Sequence, residues 1–157
     1  MKCLFVILLL IVIAAGNVHT QSASSTLEKG AKASKATVYF LRFPEFPSSR
    51  FNPIVYANNL ELARTKSGRF FRAILDAGDY TFSVDEHNLP LTLKNGETYY
   101  VQVEMKYGLF KGQCQTVFMD QQPGELLLKK AKLKPLESEM ILNQAVVINE
   151  SKKWSLE

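Results

Sequence analysis

Between Thr98 and Lys106 the side chains alternate, with Tyr99, Val101, Val103 and Met105 on one side and Tyr100, Gln102, Glu104 and Lys106 on the other. A helix, turning about 100° per residue, would smear this pattern around its circumference. A strand sends alternate side chains to opposite faces. The run therefore predicts a long strand in an antiparallel sheet with one face buried and the other wet.

Similar texture recurs along the chain. Thr37-Val38-Tyr39-Phe40-Leu41-Arg42 is rich in β-branched and aromatic residues and stops before Pro44 and Pro47, as a strand followed by a loop does. Pro53-Ile54-Val55-Tyr56 and Leu60-Glu61-Leu62-Ala63-Arg64 flank Asn58-Asn59. Asn tolerates positive φ, so this pair suits a tight hairpin turn. Ser67-Gly68 leads into Arg69 to Leu75, Asp76-Ala77-Gly78-Asp79 makes a turn, and Tyr80 to Val84 alternates again. Leu89 to Leu93 is a short strand, and Asn95-Gly96 carries a strong hairpin signal ahead of the Thr98 strand. Gly108 and Gly112 bracket a turn before Gln113 to Met119. About six to eight short strands with turn signals at such spacing predict a mainly β fold, an antiparallel β-sandwich.

One short C-terminal helix follows. Asp120 or a neighbour caps it, Pro123 sits near its start, and Leu126 to Leu133 form its body. Lys129, Lys130 and Lys132 suit its C-terminal end, and Pro135 stops it. For residues 135–157 a packed extension and a loose tail both fit the mixture of apolar and charged side chains.

The N-terminus carries a different message. Lys2 precedes an apolar run from Cys3 to Ala15. A spanning helix needs about 20 apolar residues, so the run is short for that and suits the core of a signal peptide. Residues 1–20 are read as that signal, with cleavage after Gly16 or Thr20; a retained N-terminal membrane anchor is the alternative. Residues 21–35 hold one large apolar side chain, Leu27, too little to offset ordering entropy. They read as a flexible leader to a domain at 36–134.

Without residues 1–20 the chain holds 18 basic and 15 acidic side chains, spread along its length. A nucleic-acid binder shows a denser basic stripe. Cys114 then stands alone, so the domain closes no internal disulfide and must be held by its core. His87 is the remaining histidine, in the polar stretch Asp85-Glu86-His87-Asn88, and reads as a solvated loop residue. A thiol or hydrolytic centre would have to use Cys114 or His87, and no Gly-x-Ser-x-Gly elbow accompanies them. Cys114 as a free thiol reads more simply as a small buried hydrophobe. Structural zinc wants four Cys or His ligands, and Asp76, Asp79, Asp85 and Glu86 lack the order of a calcium loop. No metal or cofactor is expected.

Two surfaces invite binding. Tyr56, Arg64, Arg69, Phe70 and Arg72 lie close in sequence and combine arginine with aromatics, the composition of an interaction patch. The basic helix, through Lys129, Lys130 and Lys132, could rest on an anionic membrane.

From Ala36 to about Leu133 the ordered motifs resemble the exported bacterial family catalogued as domain of unknown function 2846. The motifs are Thr37-Val38-Tyr39-Phe40-Leu41-Arg42, Pro53-Ile54-Val55-Tyr56 with Leu60, Gly68-Arg69-Phe70-Phe71, Ala77-Gly78-Asp79-Tyr80, Leu93 to Val101, and the leucine helix near Glu125. The first half is also similar to the PEGA surface-domain pattern, with Ala77 in place of its proline and Asn58-Asn59 in place of Asp-Gly. The resemblance implies an extracytoplasmic β-sandwich and carries over no catalytic residue. The expected role is a non-catalytic binding or accessory module of the cell envelope, periplasmic or secreted, for a protein, peptide or glycan. The alternatives are a small secreted hydrolase or thiol enzyme using Cys114 or His87, and a peripheral membrane-surface protein.

Overall fold

The computed structural model describes residues 34–44, 51–107 and 112–150. The signal reading of residues 1–20, most of the leader and the turn at 108–111 lie outside the described residues. Strand β1 (Lys35–Arg42) begins one residue inside the predicted leader. It is followed by β2 (Ile54–Ala57), β3 (Leu60–Arg64), β4 (Arg69–Asp76), β5 (Gly78–Val84), β6 (His87–Leu93), β7 (Thr98–Tyr107) and β8 (Gly112–Met119). Helix α1 (Gln121–Lys130) comes next, and then two short strands, β9 (Lys134–Pro135) and β10 (Val147–Ile148).

The mainly β sandwich expected from the alternation is present. The larger sheet runs β10-β4-β1-β7-β8, with β9 also against β4, and the smaller runs β3-β2-β5-β6. Their inner faces bury Val38, Phe40, Val55, Phe71, Phe82 and Val101. Phe40 stacks on Phe71 at 4.7 Å between ring centroids and meets Phe82 edge-on at 5.3 Å. Such offset and edge contacts suit the ring quadrupoles and add to the burial of large apolar area.

Several local readings are corrected by the pairing. Asn58 and Asn59 do make the predicted hairpin, at φ +47° and +66°, joining β2 to β3. Asn95-Gly96 does not. It carries the chain from β6 in the smaller sheet to β7 in the larger one, and Gly96 N–H donates to the Lys35 carbonyl at the start of β1. Turn chemistry reverses a chain locally but does not choose the sheet in which the next strand finds a partner. The step from β4 to β5 is likewise a corner between sheets, made at Gly78 with φ +148°, a conformation that suits glycine.

Because the chain leaves the larger sheet after β4 and returns at β7, β1 and β7 pair in parallel, from Thr37 opposite Thr98 to Leu41 opposite Gln102. Strands β2 to β6 together make the long connection that parallel pairing requires, and the hairpin β5–β6 is its last part. His87 opens β6 opposite Val84 and so belongs to a strand rather than a loop. The turn before it is tied inward, with the Cys114 backbone N–H donating to Asp85 Oδ2 at 3.0 Å.

The helix differs from its prediction in extent. It starts at Gln121 and ends at Lys130, and Asp120 occupies the cap position without a side-chain bond. The Asp120 carbonyl instead accepts from Gly124 N–H at 3.0 Å. Pro123 falls in the first turn, where amides lack intrahelical partners in any case. Pro135 lies beyond the helix, in β9.

Residues 134–150 are a packed extension, and the boundary read at 134 cuts through the core. Leu136, Ile141 and Val147 are buried. Strand β9 runs parallel to Arg69–Phe70, and β10 runs antiparallel to Arg72–Ala73, so both sit on the outer edge of β4. Between them Leu142 and Asn143 donate to the Leu62 carbonyl, and Ile141 bridges Ala63 on β3. One segment therefore covers an edge of each sheet, and covering edges is a general defence against strand addition from other chains.

Glu137 anchors this segment. Its Oε1 lies 2.7 Å from Arg69 Nη2 and 3.0 Å from Lys66 Nζ. Burial pushes its carboxyl upward, but its own backbone amide, Lys66 and Arg69 outweigh that, and the pKa is lowered from the usual 4.5. A carboxyl so depressed stabilises the fold above its unfolded value, and the contribution is lost as pH falls through the folded pKa. Replacing Glu137→Gln is expected to cost about 1–2 kcal/mol at neutral pH. Urea titrations at a series of pH values should show that gap closing as pH drops through and below 4.5.

Candidate functional site

The alternation in β7 predicts a wet outer face for the larger sheet, yet Tyr100 on that face is buried. Helix α1 covers it. Gly124 lies so close to the Tyr100 ring that an added Cβ would stand 2.3 Å from Tyr100 Cγ. With Leu41, Phe70 and Leu133, Tyr100 forms a second small core, and Tyr39, Leu128 and Ala131 pack against it. Tyr39 stacks on Tyr100 with centroids 5.4 Å apart. The Tyr100 phenol is pushed up from its usual pKa of 10.0 by burial first, then by Glu125 and Tyr39, and so stays protonated.

Where the helix ends, its contact with the sheet opens into a cavity of about 790 Å³. The apolar lining comes from Tyr39, Phe70, Leu128, Leu133 and Ile148. Arg72, Lys129, Lys132 and Lys134 bring four cations to it, and Glu150 brings a carboxylate. Each arrives for a structural reason. Tyr39, Phe70 and Arg72 point outward from β1 and β4 because their neighbours Phe40 and Phe71 point into the sandwich. Ile148 and Glu150 are held by the pairing of β10 with β4.

Three of these charged groups are already engaged. Glu150 Oε1 lies 2.9 Å from Arg72 Nε, and Lys129 pairs with Glu125 at 2.6 Å across one helical turn. Lys132 and Lys134 make no ion pair among the described residues. Lys132 has φ +50°, in the left-handed region that helix ends usually give to glycine or asparagine. A lysine held there costs about 1 kcal/mol, and such strain gathers at binding sites.

The arginine-aromatic patch read from the sequence does not form one surface. Tyr56 and Arg64 belong to the smaller sheet, on β2 and β3, where the Tyr56 hydroxyl donates to Glu61 Oε1 at 3.4 Å. Arg69 is engaged with Glu137 and donates to the Pro135 carbonyl at 3.2 Å. Phe70 is 3% exposed beneath the helix, too deep to present a ring to a protein partner. Phe70 and Arg72 alone of the five line the cavity.

Their companions there come from the helix end and from residues 148–150, which no periodicity ties to β4. The lysines carry a signal, since Lys129, Lys130 and Lys132 suit a basic helix end. Another residue without any signal is Arg42. It is 1% exposed, and its Nη1 donates to the Phe51 carbonyl at 2.5 Å and reaches Thr65 Oγ1 at 3.4 Å. It ties the start of the β2 approach to the end of β3, a structural duty.

Cys114 is 2% exposed, is in no disulfide and belongs to the inter-sheet core. Among the described residues no three Cys, His, Asp or Glu side chains cluster to hold a metal. Nor is any described helix long and apolar enough to cross a membrane. Comparison of the chain with protein-family models, with curated proteins and with solved structures found no match.

Proposed function

We propose that this chain is an exported, non-catalytic binding module whose ligand sits between α1 and the outer face of the larger sheet. The observation that carries this reading is the cavity of about 790 Å³ with an apolar lining and cations at its margin. Small-molecule sites are typically concave, about 300–1,000 Å³ in volume, and mostly apolar with a few placed polar groups. The signal-like residues 1–20 and the resemblance in motif order to domain of unknown function 2846 are what support export to the cell envelope in this reading.

The buried setting of Cys114 disfavours an enzyme built on it, because a reactive thiolate needs access and a partner that lowers its pKa. A glycan or folded protein fits the site less well than a small amphiphilic molecule, since most of the aromatic surface lies below the rim.

The neutral dye N-phenyl-1-naphthylamine brightens on entering apolar sites and tests the cavity directly. The purified protein should bind it with one-to-one stoichiometry, and Ile148→Trp, which fills the cavity, should reduce binding at least tenfold. Equal binding by wild type and Ile148→Trp, or no binding by either, would refute the assignment. For export, N-terminal sequencing of the processed protein should begin at Asn17 or Gln21.

A further inference from the structure

We infer that the occupant of this cavity is a monomeric single-chain amphiphile with an anionic head group, of the fatty-carboxylate class. The inference rests on the binding reading above and deepens it. Charge complementarity points to the sign of the head group. Four cations meet one carboxylate at the cavity, and Glu125 draws off only one of them, Lys129. Lys132 and Lys134 remain without an ion pair among the described residues. A cationic or neutral head would leave that excess uncompensated.

The lining points to the rest of the molecule. Tyr39, Phe70, Leu128, Leu133 and Ile148 offer hydrocarbon and ring surface. Phe70 and Leu133 form a floor that is already covered, so the surface open to a ligand is that of the half-buried Tyr39, Leu128 and Ile148. Inorganic phosphate or a sugar phosphate would leave it facing water, whereas an alkyl chain would cover it.

Glu150 supplies the third argument. Its carboxylate sits 2.9 Å from Arg72 Nε with 18% of the side chain exposed. A protein carboxylate thus already makes the contact with Arg72 that a ligand carboxylate would make. The contact is an ion pair by distance that leaves the buried Arg72 Nε without a hydrogen bond, and a ligand carboxylate in its place can supply a charge-assisted one. The incoming head group replaces Glu150 at Arg72 and gains Lys132 and Lys134, which Glu150 leaves without an ion pair. Glu150 therefore acts as an internal competitor, and its removal tightens binding.

The test is displacement of N-phenyl-1-naphthylamine from the purified protein by three probes that share one alkyl chain: laurate, methyl laurate and dodecyltrimethylammonium, all below their micellar concentrations. Laurate should bind at least tenfold more tightly than methyl laurate, with the ammonium weakest. Arg72→Gln should weaken laurate about tenfold and leave methyl laurate unchanged, while Glu150→Gln should tighten laurate severalfold. Lys132→Gly guards against loss through misfolding, since it relieves the left-handed backbone while removing a cation. It should unfold at a higher temperature than wild type and still bind laurate several times more weakly.

Equal affinities for laurate and methyl laurate would overturn the anionic class while leaving the dye-binding cavity in place. Failure of the dye itself to bind would remove the reading beneath. Vesicles of phosphatidylglycerol provide the last arm. Recruitment to them that Ile148→Trp leaves intact, with no displacement by monomeric laurate, would assign the cations to a membrane surface and overturn the proposal.

Discussion

A chain ended after Leu133 is expected to lose cooperative unfolding altogether. The sequence leaves residues 135–157 open between a packed extension and a loose tail, but Leu136, Ile141 and Val147 are each at most 7% exposed. Burying a side chain of this size contributes about 1.5–3 kcal/mol, so the three together approach a typical total margin of about 5–15 kcal/mol. The truncation also strips β9 and β10 from the edge of β4 and frees the edge of β3. Two exposed edges invite strand pairing between molecules. The truncated protein should therefore aggregate and show no sigmoidal urea transition by circular dichroism. A transition midpoint near that of the intact protein would show that the extension merely rests on the sandwich.

Gly124→Val should separate the helix from the sandwich. A Cβ at this position would meet Tyr100 Cγ at 2.3 Å and Tyr100 Cβ at 2.5 Å. Neither atom is the far end of a flexible chain, and Tyr100 is fixed in β7 between Val101 and the stacked Tyr39. The helix must therefore move outward, away from Leu41 and Phe70. Overpacking of this kind costs about 1–3 kcal/mol, and β-branching in a helix adds a few tenths more. The sandwich survives that loss, whereas the cavity does not, because Leu128 and Lys129 travel with the helix. Dye binding should vanish in a protein that keeps its β-sheet circular dichroism and a cooperative urea transition. Retained dye binding would mean that α1 does not form the wall described above.

Much of the sandwich is legible without coordinates. The alternation in Thr98 to Lys106 names the inner face of β7, and Tyr99, Val101 and Val103 are buried there. Asn58-Asn59 places its hairpin because two adjacent residues accept positive φ. Asn95-Gly96 shows where such reading stops. The same turn chemistry is present, yet its flanking strands belong to different sheets.

The site was less legible than the fold. The sequence grouped Tyr56 with Arg72 because they are near one another along the chain, and the sheets put them apart. In the sequence Lys132 is grouped only with Lys129 and Lys130 of the basic helix, and Ile148 and Glu150 are not grouped at all, since β10 reaches β4 across more than 70 intervening residues. A pattern of period two tells which way a side chain faces, but carries no information about what arrives on that face.

Sequence alone determined that this chain makes short strands with one greasy side, turns at particular residues and a leucine-rich helix after β8. These are consequences of φ/ψ preference and of alternation, which act over a few residues. Tertiary structure alone decided that β1 would pair in parallel with β7, that the last described residues would seal two edges, and that α1 would cover Tyr100. Those outcomes depend on which surfaces remain unburied once the sheets have met, a property of the whole assembled chain rather than of any segment.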